Sequence, residues 1–437
     1  MTSTPPPSSF SWRSLLQFGL SGLVSLFLWG AAAYMLVIGL SPLFAGGSIG
    51  SVDPAGFLIA AGFAWMGALL MPSAWFALLR LVNRPAATPR LFSWQQLWPV
   101  ILFMVPVVGI GYWASITPAV AWLLLPPLNV LALSIPIVWY LSLGGRGLRS
   151  ASPQTAWGVF GTGLALGPGV ILVIELIGAV IGVIVLVIWL SPEPGFVEEL
   201  QRLALTFQNA STVDPNELLP FAEKYLMRNS VLVGGLLFIA VFVPLLEEFF
   251  KPIGLWLMKK QTLTPARGFL AGMLSGAAFG LFESLLQGVA GEEWVILPLT
   301  RAGTSLIHIF NSGLVGWGFA LAWQQRSPIP WLKRYLLAVL IHGLWNGSTV
   351  MLSLAYIPEQ TLVGEVWGPV GMAILGMLSL GCFVSLVLIN RRLQTEEAAT
   401  REATLPPTSE PTPKEGPLSD STSLSDPDAP SDPVNSP

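Results

Sequence analysis

The chain alternates long apolar stretches with short breaks that are rich in polar residues, proline and glycine. A helix needs about 20 consecutive apolar residues to cross the hydrocarbon core of a bilayer, and many of the stretches reach that length. The pattern predicts an all-α fold, a polytopic transmembrane helix bundle of about ten spans. The predicted spans cover residues 16–41, 55–79, 97–116, 119–142, 157–190, 230–258, 268–290, 295–323, 332–355 and 366–390.

The fifth predicted span is too long for one straight crossing, and Gly167-Pro168-Gly169 lies within it. Proline removes a backbone donor, and its ring clashes with the preceding turn of a helix. We therefore expect a kink or a new helix start at this tripeptide.

Basic residues gather in alternate loops and indicate how the spans are oriented. Arg80 and Arg84 follow the second span, Arg146 and Arg149 follow the fourth, and Arg326 follows the eighth. Lysine and arginine are enriched in cytoplasmic loops, so these loops should share the cytoplasmic side. The distribution predicts an integral, multi-pass protein of the cell (plasma) membrane with both termini in the cytoplasm.

Two segments lie outside the predicted spans. Residues 191–229 have an amphipathic pattern and are predicted to form an extracytoplasmic loop at the membrane surface. Residues 391–437 are acidic, rich in serine and proline and poor in large apolar side chains, which is typical of a disordered cytoplasmic tail. These segments leave residues 1–190 as N-terminal transmembrane helices without an assigned role and residues 230–390 as a transmembrane core.

Composition narrows the class of function. Only 10% of the residues are charged and the net charge is −3, so nothing supports a nucleic-acid partner. The one cysteine, Cys382, excludes an intrachain disulfide and a cysteine-based metal site. No internal repeat is visible, which weakens a transporter built from inverted repeats.

Ionisable residues are concentrated in the sixth to ninth predicted spans. A charged side chain at the bilayer centre costs roughly 2.5–3.5 kcal/mol on insertion scales, so such residues indicate function. Glu175 in the fifth span has no partner in its own helix, and we interpret it as a protonated carboxyl or a packing residue. The candidate residues of the later spans are Glu247, Glu248, Lys251, Glu283, His308, His342 and Asn346.

Their spacing predicts a polar stripe on each of the four helices. Each helix has one i,i+4 pair on a shared face: Glu247–Lys251, Phe279–Glu283, His308–Ser312 and His342–Asn346. Glu248 can pair with Lys251 at i,i+3. A rise of about 1.5 Å per residue puts the carboxyl and imidazole groups inside the membrane but spreads them over about 15 Å of depth.

The motifs occur in an order that resembles the PrsW family of intramembrane proteases. EExxK begins at Glu247, FxxxE joins Phe279 to Glu283, Arg301 and Ser312 flank His308, and HxxxN begins at His342. The resemblance covers roughly residues 230–350. The PrsW family belongs to a wider group that also contains the CAAX prenyl proteases and bacteriocin-processing enzymes. The resemblance implies a peptidase that acts on membrane-protein substrates, as in the cleavage of an anti-sigma factor.

Two mechanisms are compatible with these residues. In a metal-dependent mechanism, Glu283, His308 and His342 ligate Zn²⁺ and Glu247 is the general base. Asn346 or Lys251 then stabilises the oxyanion. In a metal-free mechanism, Glu247 activates water, His342 and Asn346 hold the oxyanion, and His308 is the acid. The alternatives are a proton- or ion-coupled transporter and a non-catalytic membrane scaffold.

Overall fold

The computed structural model describes residues 11–48, 52–84, 96–209, 220–256, 263–355 and 361–404. These residues are helical or lie in short connections, and no strand occurs among them. The helices are α1 (Trp12–Phe44), α2 (Pro54–Leu81), α3 (Met104–Ser115), α4 (Pro118–Gly144), α5 (Pro153–Ala165), α6 (Gly167–Leu190), α7 (Phe196–Asn209), α8 (Asn229–Leu237), α9 (Val243–Phe250), α10 (Ile253–Trp256), α11 (Pro265–Leu285), α12 (Ile296–Gln325), α13 (Ile329–Ala355) and α14 (Thr361–Thr404).

Ten segments of the described chain are long and apolar enough to cross a membrane, and each overlaps one predicted span. The prediction of an all-α, multi-pass helix bundle is therefore confirmed. The fifth span consists of α5 and α6, and the sixth consists of α8, a π-helical turn at Phe238–Phe242, and α9.

Proline sets the two breaks that matter for the site. α5 ends at Ala165 and α6 begins at Gly167, with Pro168 in its first turn, as the Gly-Pro-Gly sequence predicted. α9 ends at Phe250, and Lys251 and Pro252 form a turn before α10. The sixth span is thus shorter than the predicted 230–258, and residues 257–258 lie outside the described part of the chain.

The C-terminal helix extends further than the sequence suggested. α14 continues to Thr404, so residues 391–404, which we assigned to the disordered tail, are helical. The run Arg391–Thr404 contains glutamate, alanine and arginine, which are strong helix formers. The rest of the predicted tail, 405–437, lies outside the described residues.

α11 and α12 are the most deeply buried spans. Gly268, Gly272 and Gly276 lie at i,i+4 intervals on α11, and a Cβ at any of them would collide with the α12 backbone. The carbonyl oxygens in the way belong to Gly316, Ser312 and His308. Small residues at this spacing let two membrane helices approach closely. This contact fixes the position of His308 relative to α11.

The N-terminal helices and the predicted core form one compact unit, Met1–Thr395. On α5, a Cβ at Gly163 would meet Ser275 of α11. The indole of Trp294, just before α12, donates a 3.0 Å hydrogen bond to Asn129 of α4. The role of residues 1–190 therefore includes packing around α11 and α12.

A small apolar cluster packs the segment between α6 and α8 against the end of α6. Leu190, Phe196 and Tyr225 are its buried members, and Leu186 packs against them. Arg228 and Glu193 form an ion pair of 2.8 Å beside this cluster. The segment between α6 and α8 thus contains helix α7, while residues 210–219 lie outside the description.

Candidate active site

Four helices bring the site residues together around Lys251. The ammonium lies 2.7 Å from Oε2 of Glu247 and 2.9 Å from Oε1 of Glu248. It also lies 2.7 Å from Nδ1 of His308 on α12. All of these side chains are buried. The sequence predicted that Lys251 pairs with one glutamate, and in the structure its ammonium contacts both.

The turn after α9 holds Lys251 in place. Its backbone N–H donates to the carbonyl of Glu247 at 2.8 Å, and its own carbonyl accepts a 2.5 Å hydrogen bond from the hydroxyl of Ser275. The ammonium lies 4.6 Å from the ring centroid of Phe279, within the range of a cation–π contact. The phenylalanine of the FxxxE motif therefore supports the lysine of the EExxK motif.

The hydrogen bonds define one tautomer for each histidine. A carboxylate only accepts, so Nδ1 of His342 must donate to Glu248 across their 2.9 Å contact. An ammonium only donates, so Nδ1 of His308 must accept from Lys251. Nε2 of His308 then donates to Oε2 of Glu283 at 2.8 Å. Each imidazole has one nitrogen held by a carboxylate and one lone pair turned inward.

Arg301 holds Glu283 from the other side. The guanidinium donates to Oε1 at 3.1 Å, and its second terminal nitrogen lies 2.9 Å from Oε2. Its Nε–H donates to the hydroxyl of Ser284 at 3.0 Å. Bidentate arginine–carboxylate pairs fix the orientation of the carboxylate. Arg301 thereby orients Glu283 toward His308.

One group of side chains has the geometry to hold a metal ion. Ligand atoms of Glu247, His308 and His342 all lie within 4.8 Å of one another, and the three residues are buried. The two imidazole rings are 5.3 Å apart at their centroids and inclined at 78°. Glu283, predicted as the third ligand, instead bonds the outer nitrogen of His308.

Two of the predicted supporting residues have packing contacts. The Asn346 amide donates a 3.1 Å hydrogen bond to the carbonyl of Ile239 in the π-helical turn. Ser312 is buried at the close contact between α12 and Gly272 of α11. Both residues therefore have packing contacts beside the site, and a role of Asn346 at the reacting atoms stays a prediction.

Glu175 lies on α6, a helix that packs against the site, although we interpreted it from the sequence as a protonated carboxyl or a packing residue. α6 contacts α9, which carries Glu247, and α11, which carries Glu283. Its position in the most hydrophobic of the ten spans, where an ionisable group is costly, could have identified Glu175 as a site candidate from the sequence. α6 therefore brings a further carboxyl to the helices that carry the site.

Residues 167–375 match the family model described as PrsW family intramembrane metalloprotease. The resemblance to the PrsW family is confirmed. The PrsW match is wider than the predicted 230–350 and includes α6 with Glu175. It supports a peptidase in a multi-pass membrane protein over the transporter and scaffold alternatives. No curated protein and no solved structure matches the chain.

Proposed function

We propose that this peptidase hydrolyses peptide bonds of membrane-protein substrates at the cluster around Glu247, His308 and His342. The proposal rests on the proximity of two imidazoles to one carboxylate, because ligand atoms of Glu247, His308 and His342 lie within 4.8 Å of one another. His342 Nε2 lies 3.8 Å from Oε2 of Glu247, and His308 Nδ1 contacts the ammonium that pairs with the same oxygen.

The donor set fits a divalent metal ion such as Zn²⁺. Nitrogen and carboxylate ligands lie about 2.0–2.2 Å from zinc, and three of them leave a fourth position open in catalytic sites. Histidines that bind metals usually donate their other N–H to a carboxylate, as His308 does to Glu283 and His342 does to Glu248. A bound ion would supply Lewis-acid polarisation of the scissile carbonyl.

The position of the Lys251 ammonium affects how such an ion could bind. The ammonium lies within 2.7 Å of both Glu247 and His308, so it takes the place of a cation between two of the three donors. Glu247 and His308 could hold an ion only if Lys251 left these two groups, and its contact with Glu248 could remain. Otherwise Lys251 is the buried counter-ion of Glu247 and Glu248.

We assign the residues as follows. Glu247 presents its oxygen to the space between the imidazoles and either completes the metal ligands or accepts the proton of the attacking water. His308 and His342 are metal-binding or hydrogen-bonding groups at the reacting atoms. Glu248 and Glu283 are positioning residues, because each holds the outer nitrogen of one imidazole.

Peptide cleavage and metal content test the assignment together. We propose comparing membrane-protein fragments from cells with the natural chain, Glu247→Gln and the exposed control Glu293→Gln. Glu247→Gln should remove the fragments, and Glu293→Gln should retain them. Loss of metal from purified Glu247→Gln would identify a ligand, and retained metal without activity would identify the base. Cleavage by Glu247→Gln at the natural rate would contradict the proposal.

The substrate is proposed at the level of its class. A membrane-embedded site reaches peptide bonds within or near the bilayer, so the substrates are expected to be membrane proteins. Regulated cleavage of an anti-sigma-type factor is one form that the family resemblance suggests. The fragments that depend on Glu247 would identify the substrate directly.

A further inference from the structure

An apolar cleft of about 510 Å³ lies between the outer halves of the fifth and sixth spans. One wall is α6 from Ala179 to Trp189, and the other is α8 with the start of the π-helical turn, from Ser230 to Ile239. At about 1.5 Å per residue, the α6 wall is about 15 Å long, half the thickness of the hydrocarbon core.

Neither wall is covered by the rest of the described chain. No residue of α8 is buried, and none of α6 between Ile171 and Leu190 is buried. Gly182 on one wall and Gly234 and Gly235 on the other face open space, with no atom near the position of an added Cβ. An apolar helix could therefore approach both backbones.

The cleft ends close to the candidate active site without opening into it. The rings of Phe238 and Phe242 lie beside Gly178 and close the gap between the walls at this end. Ile239 lines the cleft, and its carbonyl accepts the Asn346 hydrogen bond one helical turn from His342. Glu175 lies one turn beyond Ala179 on α6, the helix that packs against α9 with Glu247.

The outer end of the cleft adjoins the segment between α6 and α8. Leu186 lines the cleft and also packs on the cluster of Leu190, Phe196 and Tyr225. The cleft thus runs from this outer segment toward the site, and its lining is apolar.

We propose that the transmembrane helix of a substrate docks in this cleft before cleavage. The proposal rests on the proposed function and names where the substrate binds. The occupant must be apolar, because the lining offers hardly any polar surface, and a polypeptide fits because the cleft ends about one helical turn from residues at the peptidase site. The small residues that line the cleft favour close contact with another helix.

Disulfide crosslinking tests the docking without requiring activity. The probe is a synthetic leucine–alanine helix of about 20 residues with one central cysteine, in phosphatidylcholine vesicles. In a Cys382→Ser background, Val183→Cys lies in the cleft, and Ile181→Cys lies on the opposite face of the same helix. We expect at least a fivefold higher crosslinking yield at position 183.

A blocking variant makes the test specific. Gly234→Trp should fill the cleft and lower the yield at position 183, whereas Gly376→Trp, which also faces open space, should leave it unchanged. Equal yields at positions 181 and 183, no adducts, or adducts only between two copies of the chain would overturn the proposal. Such results would indicate that lipid or a second copy covers the cleft.

Measurements of KM and kcat distinguish the docking proposal from the proposed peptidase function. With a membrane substrate, Gly234→Trp should raise KM about tenfold and leave kcat nearly unchanged, whereas Gly376→Trp should alter neither. An unchanged KM in Gly234→Trp would contradict docking in the cleft. Full cleavage by Glu247→Gln would contradict the catalytic assignment, whatever the crosslinking yield.

Discussion

The Lys251 ammonium lies 2.7 Å from Nδ1 of His308, inside a membrane-spanning core. This contact joins the EExxK motif of the sixth span to the histidine of the eighth. It also requires His308 to be a neutral imidazole with its lone pair directed at the cluster. The protein therefore holds a cation beside the donors that fit a metal ion.

Removal of that cation should destabilise the fold. Lys251→Met leaves Glu247 and Glu248 buried without their counter-ion, and the loss of one partner from a buried ion pair costs about 3–5 kcal/mol. Unfolding in detergent with a chelator present measures the effect. The exposed Lys333→Met is the matched control and should change stability little. Equal stability of the two variants would mean that Lys251 does not neutralise the carboxylates.

Loss of Glu283 should weaken the site without abolishing it. Glu283 holds the outer nitrogen of His308, and outer partners of metal ligands typically contribute 10–100-fold to affinity or activity. Glu283→Gln should lower kcat/KM by about that factor, and Arg301→Gln should have a similar effect because it releases the same carboxylate. A complete loss in Glu283→Gln, equal to that in Glu247→Gln, would favour the original prediction that Glu283 is a ligand.

The contact between α11 and α12 should not tolerate a larger side chain. A Cβ at Gly272 would collide with the carbonyl of Ser312, so Gly272→Val must separate the two helices. Overpacking of this kind typically costs about 1–3 kcal/mol, and it should also displace His308 and reduce cleavage. Thermal unfolding and activity measure the two effects. Gly376→Val, with open space around it, should retain both properties.

The orientation of the spans can be tested by labelling. Arg326 and Lys333 predict that the connection between α12 and α13 is cytoplasmic, and the start of the eighth span at Glu292 should then be outside. In intact cells, an impermeant maleimide should label Glu292→Cys and not Ser327→Cys. The natural Cys382 is buried and should give little background. The reverse pattern would mean that the predicted orientation is inverted.

Hydropathy predicted the ten spans, because lipid imposes helix length and apolarity directly. The rarity of charge inside a membrane also identified Glu247, His308 and His342 as candidates. The glycine repeat of α11 is visible in the sequence, yet its significance depends on which helix it faces. That partner is a property of the packed structure.

The division of roles between Glu247 and Glu283 could not be derived from spacing. Depth along the helix axes differs by about 15 Å among the four groups, so spacing alone did not show which carboxylate reaches the imidazoles. The Lys251–Pro252 turn ends α9 beside His308, and Arg301 turns Glu283 to the outer side. Both effects arise from tertiary contacts.

Cobalt titration of the metal-free protein measures whether the two imidazoles form a metal site. Co²⁺ should bind at one equivalent per chain with the visible absorption of a site containing nitrogen and oxygen ligands. We expect His308→Ala and His342→Ala to lose this signal, and Glu283→Gln to retain it with weaker affinity. An unchanged signal in both histidine variants would contradict a site built from these imidazoles.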